Sequence, residues 1–264
     1  MMSKPKVQAV FFDIDGTLLG LKSKVIPDST IEALAILKAK GIKIIVSTGR
    51  SYEHARFLAS YGFDGFITFN GSYCVDEQGQ AFFRHTIAGD DIQILHDHLN
   101  TADRFPVGVM TTEGSFISDI TDDVAAIFHL LKLEIPRAQP FAQALHTEVL
   151  QLNLFVDEHT ELHLINNVLK NCESSRWCPQ FIDVNARGIS KKVGMEQFFA
   201  RYSLSAAHTM AFGDGGNDIQ MLRAAGVGVA MANAGANVKA VADYVTDTTE
   251  EHGIWNALKR YEII

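Results

Sequence analysis

Apolar runs closed by turn residues alternate with helical patterns in the first third of the chain, and few folds accommodate that alternation. Val7 to Phe12 reads as a strand, and Ser29 to Lys40 reads as a helix whose apolar side carries Ile31, Leu34, Ile36 and Leu37. Gly41 stops that helix, Ile42 to Ser47 is a second strand, Glu53 to Ser60 a second helix, and Phe66 to Phe69 a third strand. Strands apolar at nearly every position are covered on both faces, which is the signature of a parallel sheet. A βαβαβ rhythm with right-handed crossovers follows from that. The same rhythm returns after Asn185, with a helix over Lys191 to Tyr202, a strand over Thr209 to Phe212, a helix over Ile219 to Ala225, and a strand over Val227 to Ala230. A helix over Val238 to Ala242, a short strand at Tyr244-Val245 and a helix over Glu250 to Lys259 complete the chain.

Between these parts the pattern is different. Two hairpins are expected, one turning at Asp76-Glu77-Gln78-Gly79 and the other at Thr111-Thr112-Glu113-Gly114. Helices are expected over Asp90 to Leu99, Asp122 to Leu131 and Glu161 to Leu169, with strands at Leu150 to Val156 and Phe181 to Val184. Antiparallel strands with helices on one face indicate an inserted α+β module. The expected architecture is therefore an α/β, Rossmann-like parallel-sheet core over residues 1–82 and 185–264, with an α+β insert over residues 83–184.

The chain has 264 residues and 23 Lys+Arg against 31 Asp+Glu, a net charge of −8, and no basic run exceeds a pair. That excludes a nucleic-acid-binding surface of the usual basic kind. Cys74, Cys172 and Cys178 form no CxxC pair and read as reduced thiols of a cytoplasmic protein. No apolar leader precedes the first strand, and the small-residue stretch Ala224 to Ala242 contains Asn233, Asn237 and Lys239, so no membrane association is expected. The histidines are scattered, and His96 and His98 fall on different faces of one helix, which reads as solvated or capping histidine. Tyr73, Trp177 and Phe181 could line a substrate pocket, and a core role is the first reading. A monomer is the expected state, a dimer remaining open.

Chemistry concentrates where apolar strands end. Asp13 and Asp15 follow the first strand, Ser47-Thr48-Gly49-Arg50 the second, and Gly213 to Asp218 the strand after the insert, while Lys191 stands at a helix start. Ligands of open α/β sheets bind at the carboxyl ends of the strands, so these segments are expected to meet. Each has a plainer reading by itself: an Asx-type turn, a helix N-cap, a surface lysine. Asp218 occupies the last Gly position of a dinucleotide loop, and no P-loop follows any strand. Like charges about 4 Å apart repel by roughly 4 kcal/mol at an effective dielectric near 20. A cluster of Asp13, Asp15, Asp214 and Asp218 therefore asks for a hard divalent cation, and an all-oxygen ligand set favours Mg²⁺.

The order Asp-x-Asp-Gly-Thr-Leu, Ser-Thr-Gly-Arg, Ser190-Lys191 and Gly-Asp-Gly-Gly-Asn-Asp resembles the haloacid dehalogenase-like phosphatases. The large insert between the second and third motifs is similar to the type II cap of their Cof-type (IIB) subgroup. Asn70-Gly71-Ser72, Gly228 to Ala234 and Asp243 to Thr246 resemble further elements of that subgroup. The resemblance implies Asp13 as nucleophile and Asp15 as acid and then base. It implies that Thr48, the Gly49 amide, Lys191 and Asn217 contact phosphate or substrate. It also implies Mg²⁺ on Asp13, the backbone carbonyl of Asp15 and Asp214, with Asp218 just outside the direct ligands. Lys192 stands where the family usually has Gly, and Ser72 where it has Ala. The implied activity is Mg²⁺-dependent hydrolysis of a small phosphorylated metabolite, sugar phosphates leading, through an aspartyl-phosphate. A phosphomutase or a specialised sugar-phosphate phosphatase on the same scaffold, or a non-catalytic phospho-metabolite sensor, are the alternatives. The insert is expected to set substrate choice.

Overall fold

The computed structural model describes residues 7–101, 104–131 and 134–264; the side chains of Leu130, Leu131, Trp177 and Cys178 lie outside that description. The chain divides into two compact units, Met1–Phe83 with Ser190–Ile264, and Arg84–Ile189.

The first unit is built on an eight-stranded sheet. Its order is Tyr244–Val245, Val227–Ala230, Thr209–Gly213, Ala9–Phe12, Lys43–Ser47, Gly65–Thr68, Tyr73–Asp76, Ala81–Arg84. The first six strands run parallel, and Tyr73–Asp76 is antiparallel to its neighbour Gly65–Thr68. The chain leaves Ala9–Phe12 to one side, through Lys43–Ser47, and returns on the other through Thr209–Gly213. The order therefore reverses between Ala9–Phe12 and Thr209–Gly213, and the crevice at such a switch point is where open α/β sheets bind ligands.

Both faces are buried, as expected for a parallel sheet. Val10, Phe12, Ile44, Val46, Met210 and Phe212 pack with Leu34, Leu37, Ile254 and Leu258 on one side. Phe11, Ile45, Ile67 and Ala211 pack with Met195, Phe198, Met221 and Leu222 on the other. Alternate residues thus go to opposite layers, and the helix Lys191–Tyr202 lies over the face that takes Phe11.

The second unit carries a six-stranded sheet, ordered Cys172–Cys178, Phe181–Ala186, Gln151–Leu154, Val107–Thr111, Gly114–Ile117, Arg137–Ala138. All pairs are antiparallel except the last. Val109, Leu152 and Val184 form one apolar row and pack with Leu95, Leu99 and Leu164.

Several local expectations needed correction. The second helix is one α turn, Tyr52–Ala55, tightening into a 3₁₀ stretch Arg56–Tyr61 that ends on Gly62 in the left-handed region. The helix expected from Glu161 starts earlier, at Glu158, because Asp157 caps it by accepting from the Thr160 amide at 2.8 Å, and it widens into a π turn over Leu164–Val168. The last helix starts at Gly253, not Glu250. The strand Cys172–Cys178 has no counterpart in the sequence reading: Glu173-Ser174-Ser175-Arg176 is polar at every position, so no alternation marks it. Phe181 packs on Phe155 and Tyr73 on Phe69, as core aromatics do.

Candidate active site

The strands Ala9–Phe12 and Thr209–Gly213 run side by side with Phe12 opposite Phe212, their rings stacked at 5.3 Å. Each delivers a carboxylate just past its end, Asp13 and Asp214. The chain then turns at Gly16, whose φ of +88° suits glycine, and a Cβ there would fall 2.2 Å from Asp214 Oδ2. That turn brings the buried Thr17 hydroxyl to Asp214, donating to Oδ1 at 3.1 Å. Asn233 donates to the other oxygen, Oδ2, at 2.8 Å and to the Gly16 carbonyl at 3.1 Å. Thr249 donates to the Gly16 and Thr17 carbonyls, 3.0 Å each, and so holds the turn from below.

Lys191 opens the helix Lys191–Tyr202 and is fully buried. Its Nζ lies 2.6 Å from Asp13 Oδ1 and 2.6 Å from Asp218 Oδ1. The remaining oxygen of Asp218 accepts the amides of Asp214 at 3.0 Å and Gly215 at 2.9 Å. Oxygens of Asp13, Asp214 and Asp218 lie within 4.8 Å of one another. The ammonium thus pairs two of the three carboxylates, and Asp214 stands beside them without a cation of its own among the described residues.

The electrostatics follow from burial. Burial raises the Asp13 carboxyl well above the usual range, and the neighbouring Asp218, Asp214 and Asp15 add to this against the opposing pull of Lys191. Burial, reinforced by Asp218, pushes Asp214 up to about 7. Burial works against the Lys191 ammonium, but Asp13 and Asp218 outweigh it and hold its pKa above the ordinary lysine value. Lys191 thus stays charged, while Asp13 and Asp214 hold protons more readily than exposed carboxyls, as acids do when crowded together without a further cation.

A divalent oxygen-binding cation fits this donor set. Each carboxylate oxygen offers two lone pairs, and those of Asp214 each spend only one on Thr17 and Asn233. Asp218 is different. Its Oδ2 is saturated by two amides and its Oδ1 holds Lys191, so it shapes the loop and orients the lysine.

Asp15 leaves this cluster. The ladder ends at Phe12, so the strand alternation that would align Asp13 and Asp15 no longer applies. The Asp15 side chain is exposed and paired in two-pronged fashion with Arg50, Nε to Oδ2 at 2.7 Å and Nη2 to Oδ1 at 2.6 Å. Thr48 is buried, and its hydroxyl accepts the Arg50 amide at 3.1 Å, with Gly49 between them. The cap of the following short helix is Ser51, not Thr48, since the Ser51 hydroxyl accepts the His54 amide at 3.2 Å.

Asn217 donates to Asn70 Oδ1 at 2.9 Å. Asn70 is itself in the left-handed region, φ 54°, and Gly71 follows at φ +107° with its hypothetical Cβ 2.0 Å from the Ser190 carbonyl. The tight turn at Asn70-Gly71 thereby joins the segments of Thr48, Lys191 and Asn217. Lys192 points away to the surface, 3.4 Å from Glu196, and leaves the cluster undisturbed.

The sequence reading missed Asn233 and Thr249 as partners of the turn. Asn233 follows the buried strand Val227–Ala230 closely, so the rule that singled out Asp13 and Asp214 would have flagged it. Thr249 carries no such signal.

An open parallel sheet with buried aspartates and a buried lysine at its switch point is the arrangement of an α/β enzyme with its site at the strand ends. A family profile described as haloacid dehalogenase-like hydrolase matches residues 10–258. The 5-amino-6-(5-phospho-D-ribitylamino)uracil phosphatase YcsE of Bacillus subtilis (strain 168) is 31% identical over 260 residues, covering 97% of this chain and 96% of its own. The solved structure of BT1666, from Bacteroides thetaiotaomicron and described among phosphatases of this superfamily, superposes with a TM-score of 0.93 at 34% identity, covering 100% of this chain and 98% of its own. That of the subclass IIB sugar phosphatase BT4131 gives 0.91 at 36% identity, covering 98% and 100%. The chain belongs to the haloacid dehalogenase-like hydrolases, as a phosphatase of the Cof-type IIB group.

Proposed function

We propose that the protein is a Mg²⁺-dependent phosphomonoesterase that works through an aspartyl-phosphate on Asp13. The observation that carries this reading is the buried Lys191 ammonium held between Asp13 and Asp218. A buried cation beside a carboxylate at a sheet switch point suits phosphoryl transfer, which depends above all on positioning and charge neutralisation. Asp13 attacks phosphorus, the ester P–O bond breaks, and Asp15 gives a proton to the departing alcohol. Asp15 then takes a proton from the water that attacks the acyl phosphate, releasing inorganic phosphate and free Asp13. Both oxygens of Asp15 are engaged by Arg50, so proton delivery requires that pair to open. Thr48, the Gly49 amide, Lys191 and Asn217 hold phosphoryl oxygens. Asp13, the Asp15 carbonyl and Asp214 are the residues that would hold Mg²⁺, whose chemistry there is neutralisation of phosphoryl charge.

The substrate class is a small phosphorylated metabolite with the phosphate on a polyhydroxylated carbon chain. YcsE is named for a phosphoribityl compound and BT4131 as a sugar phosphatase, which supports this class. We assign substrate choice to the inserted unit, Arg84–Ile189. The buried free thiols Cys74 and Cys172 suit a reducing cytoplasm. No helix among the described residues is long and apolar enough to cross a membrane. The test is phosphate release from a panel of sugar phosphates, polyol phosphates and nucleotides, with and without Mg²⁺, for the wild type and Asp13→Asn. Mg²⁺-dependent release that Asp13→Asn abolishes is expected; release that survives the substitution overturns the reading.

A further inference from the structure

Ser47 is fully buried, and its hydroxyl has no hydrogen-bond partner among the described residues. Buried hydroxyls are almost always paired, and one left unpaired is costly, so this one calls for a reason. Its place in the sheet supplies one. Phe12 is in register with Val46 and with Phe212, and the Asp13 amide still donates to the Phe212 carbonyl at 3.0 Å, so Asp13, the next residue, lies between Ser47 and Gly213. Ser47 is in turn paired with Ile67. Ile45 and Ile67 face the layer of the helix Lys191–Tyr202, and strand alternation sends Ser47 the same way.

That row is covered closely. A Cβ on Gly213 would lie 2.5 Å from the Asp218 side chain, and one on Gly194 would lie 2.3 Å from Ile67. Asp13 and Ser47 occupy the two places between, with Lys191 Nζ on Asp13 Oδ1. Neighbouring strands are about 4.8 Å apart, and a serine hydroxyl moves between staggered positions about χ1, so its Oγ comes within reach of the adjacent carboxyl.

Building on the proposed aspartyl-phosphate chemistry, we propose that Ser47 is a positioning residue for the nucleophile. Its hydroxyl donates a second hydrogen bond to the Asp13 oxygen already held by Lys191, and so leaves both lone pairs of the other oxygen for the cation and for the attack on phosphorus. An oxygen with two lone pairs accepts both donors. The bond is absent at rest and forms as the phosphoryl group arrives. An interaction made only on the way to the transition state raises kcat and leaves substrate binding alone. The unpaired hydroxyl at rest is the cost of that arrangement in the free protein.

The inference predicts opposite effects from one substitution. Ser47→Ala removes an unpaired buried group, so the free protein melts no lower than the wild type, by about 2 °C higher at most. The same variant loses about tenfold in kcat on p-nitrophenyl phosphate with Mg²⁺, with KM within about twofold. Ser47→Cys, which keeps a weak donor, falls between the two in kcat. A Ser47→Ala protein with wild-type kcat overturns the inference, and so does one with a lowered Tm, since that marks a structural hydroxyl. Asp13→Asn run alongside separates the two levels. If it retains turnover, the proposed nucleophile is wrong; if it is inactive while Ser47→Ala keeps full kcat, only the role of Ser47 is.

Discussion

In the parallel sheet, the strands Ala9–Phe12, Thr209–Gly213 and Val227–Ala230 are buried at every position, and Asp13, Asp214 and Asn233 come just after them. In the sheet of the inserted unit, Gln151–Leu154 alternates instead: Leu152 and Leu154 enter the apolar core, while Gln151 and Asn153 take the opposite face. Asn153 meets Asp183 there, donating at 2.6 Å, and both Asp183 and Gln151 are nearly inaccessible. A sheet covered on both faces confines polar chemistry to strand ends, where it stands out. A sheet with one apolar face spreads polar residues along every strand, where a functional side chain looks like any other. That is why candidate site residues stand out in the sequence of the first sheet and none stands out in that of the second.

The largest expected effect tests the charged centre. Lys191→Met leaves Asp13 and Asp218 as adjacent buried carboxylates without their cation, and breaking such a pair costs about 3–5 kcal/mol. Urea unfolding in Mg²⁺-free buffer should show that loss; a variant as stable as the wild type would mean that the acids share a proton and need no ammonium. In the inserted unit the comparable change is apolar. Leu152→Ala should cost about 3 kcal/mol through the cavity it leaves. Hydrogen exchange should then quicken in Gln151–Leu154 while Ala9–Phe12 stays protected. Equal acceleration in both would show that the two units open together, and the contrast between them would lose its energetic meaning.

The smallest effect depends on pH. Asp13 and Asp214 have raised pKa values in the fold, so the folded state binds protons more tightly than the unfolded chain. Their contribution to stability is present at low pH and is lost as pH rises from about 4, the unfolded value, through about 7 for Asp214. A divalent cation binds the ionised carboxylates and reverses that loss. At about 100 times its Kd, Mg²⁺ should add about 2.7 kcal/mol at pH 8 and progressively less as pH falls below 7. Thermal melts across this range should show it, and a Mg²⁺ increment that does not vary with pH would remove these carboxylates from the metal site.

The alternation of buried strands and helices, and the polar residues at strand ends, were legible because both are local. A run such as Val10-Phe11-Phe12-Asp13 states its own burial and its own end. The strand Cys172–Cys178 was not legible, because it is polar along Glu173 to Arg176 and is held by pairing with Phe181–Ala186. The two-pronged pairing of Asp15 with Arg50 was equally hidden, since it depends on where the backbone turns after Phe12.

By itself the sequence determined which polar residues come to the end of a buried sheet: Asp13, Thr48, Lys191 and Asp214. Only the tertiary structure decided how they share the work. Lys191 is 178 positions from Asp13, and Thr17 is 197 from Asp214. Periodicity along the chain fixes which way a side chain faces, but its partner is set by strand order and by turns such as Gly16 and Asn70-Gly71. In this fold those bring Asp218 to Lys191, Asn233 to Asp214, and Ser47, whose hydroxyl has no partner among the described residues, to the side of Asp13.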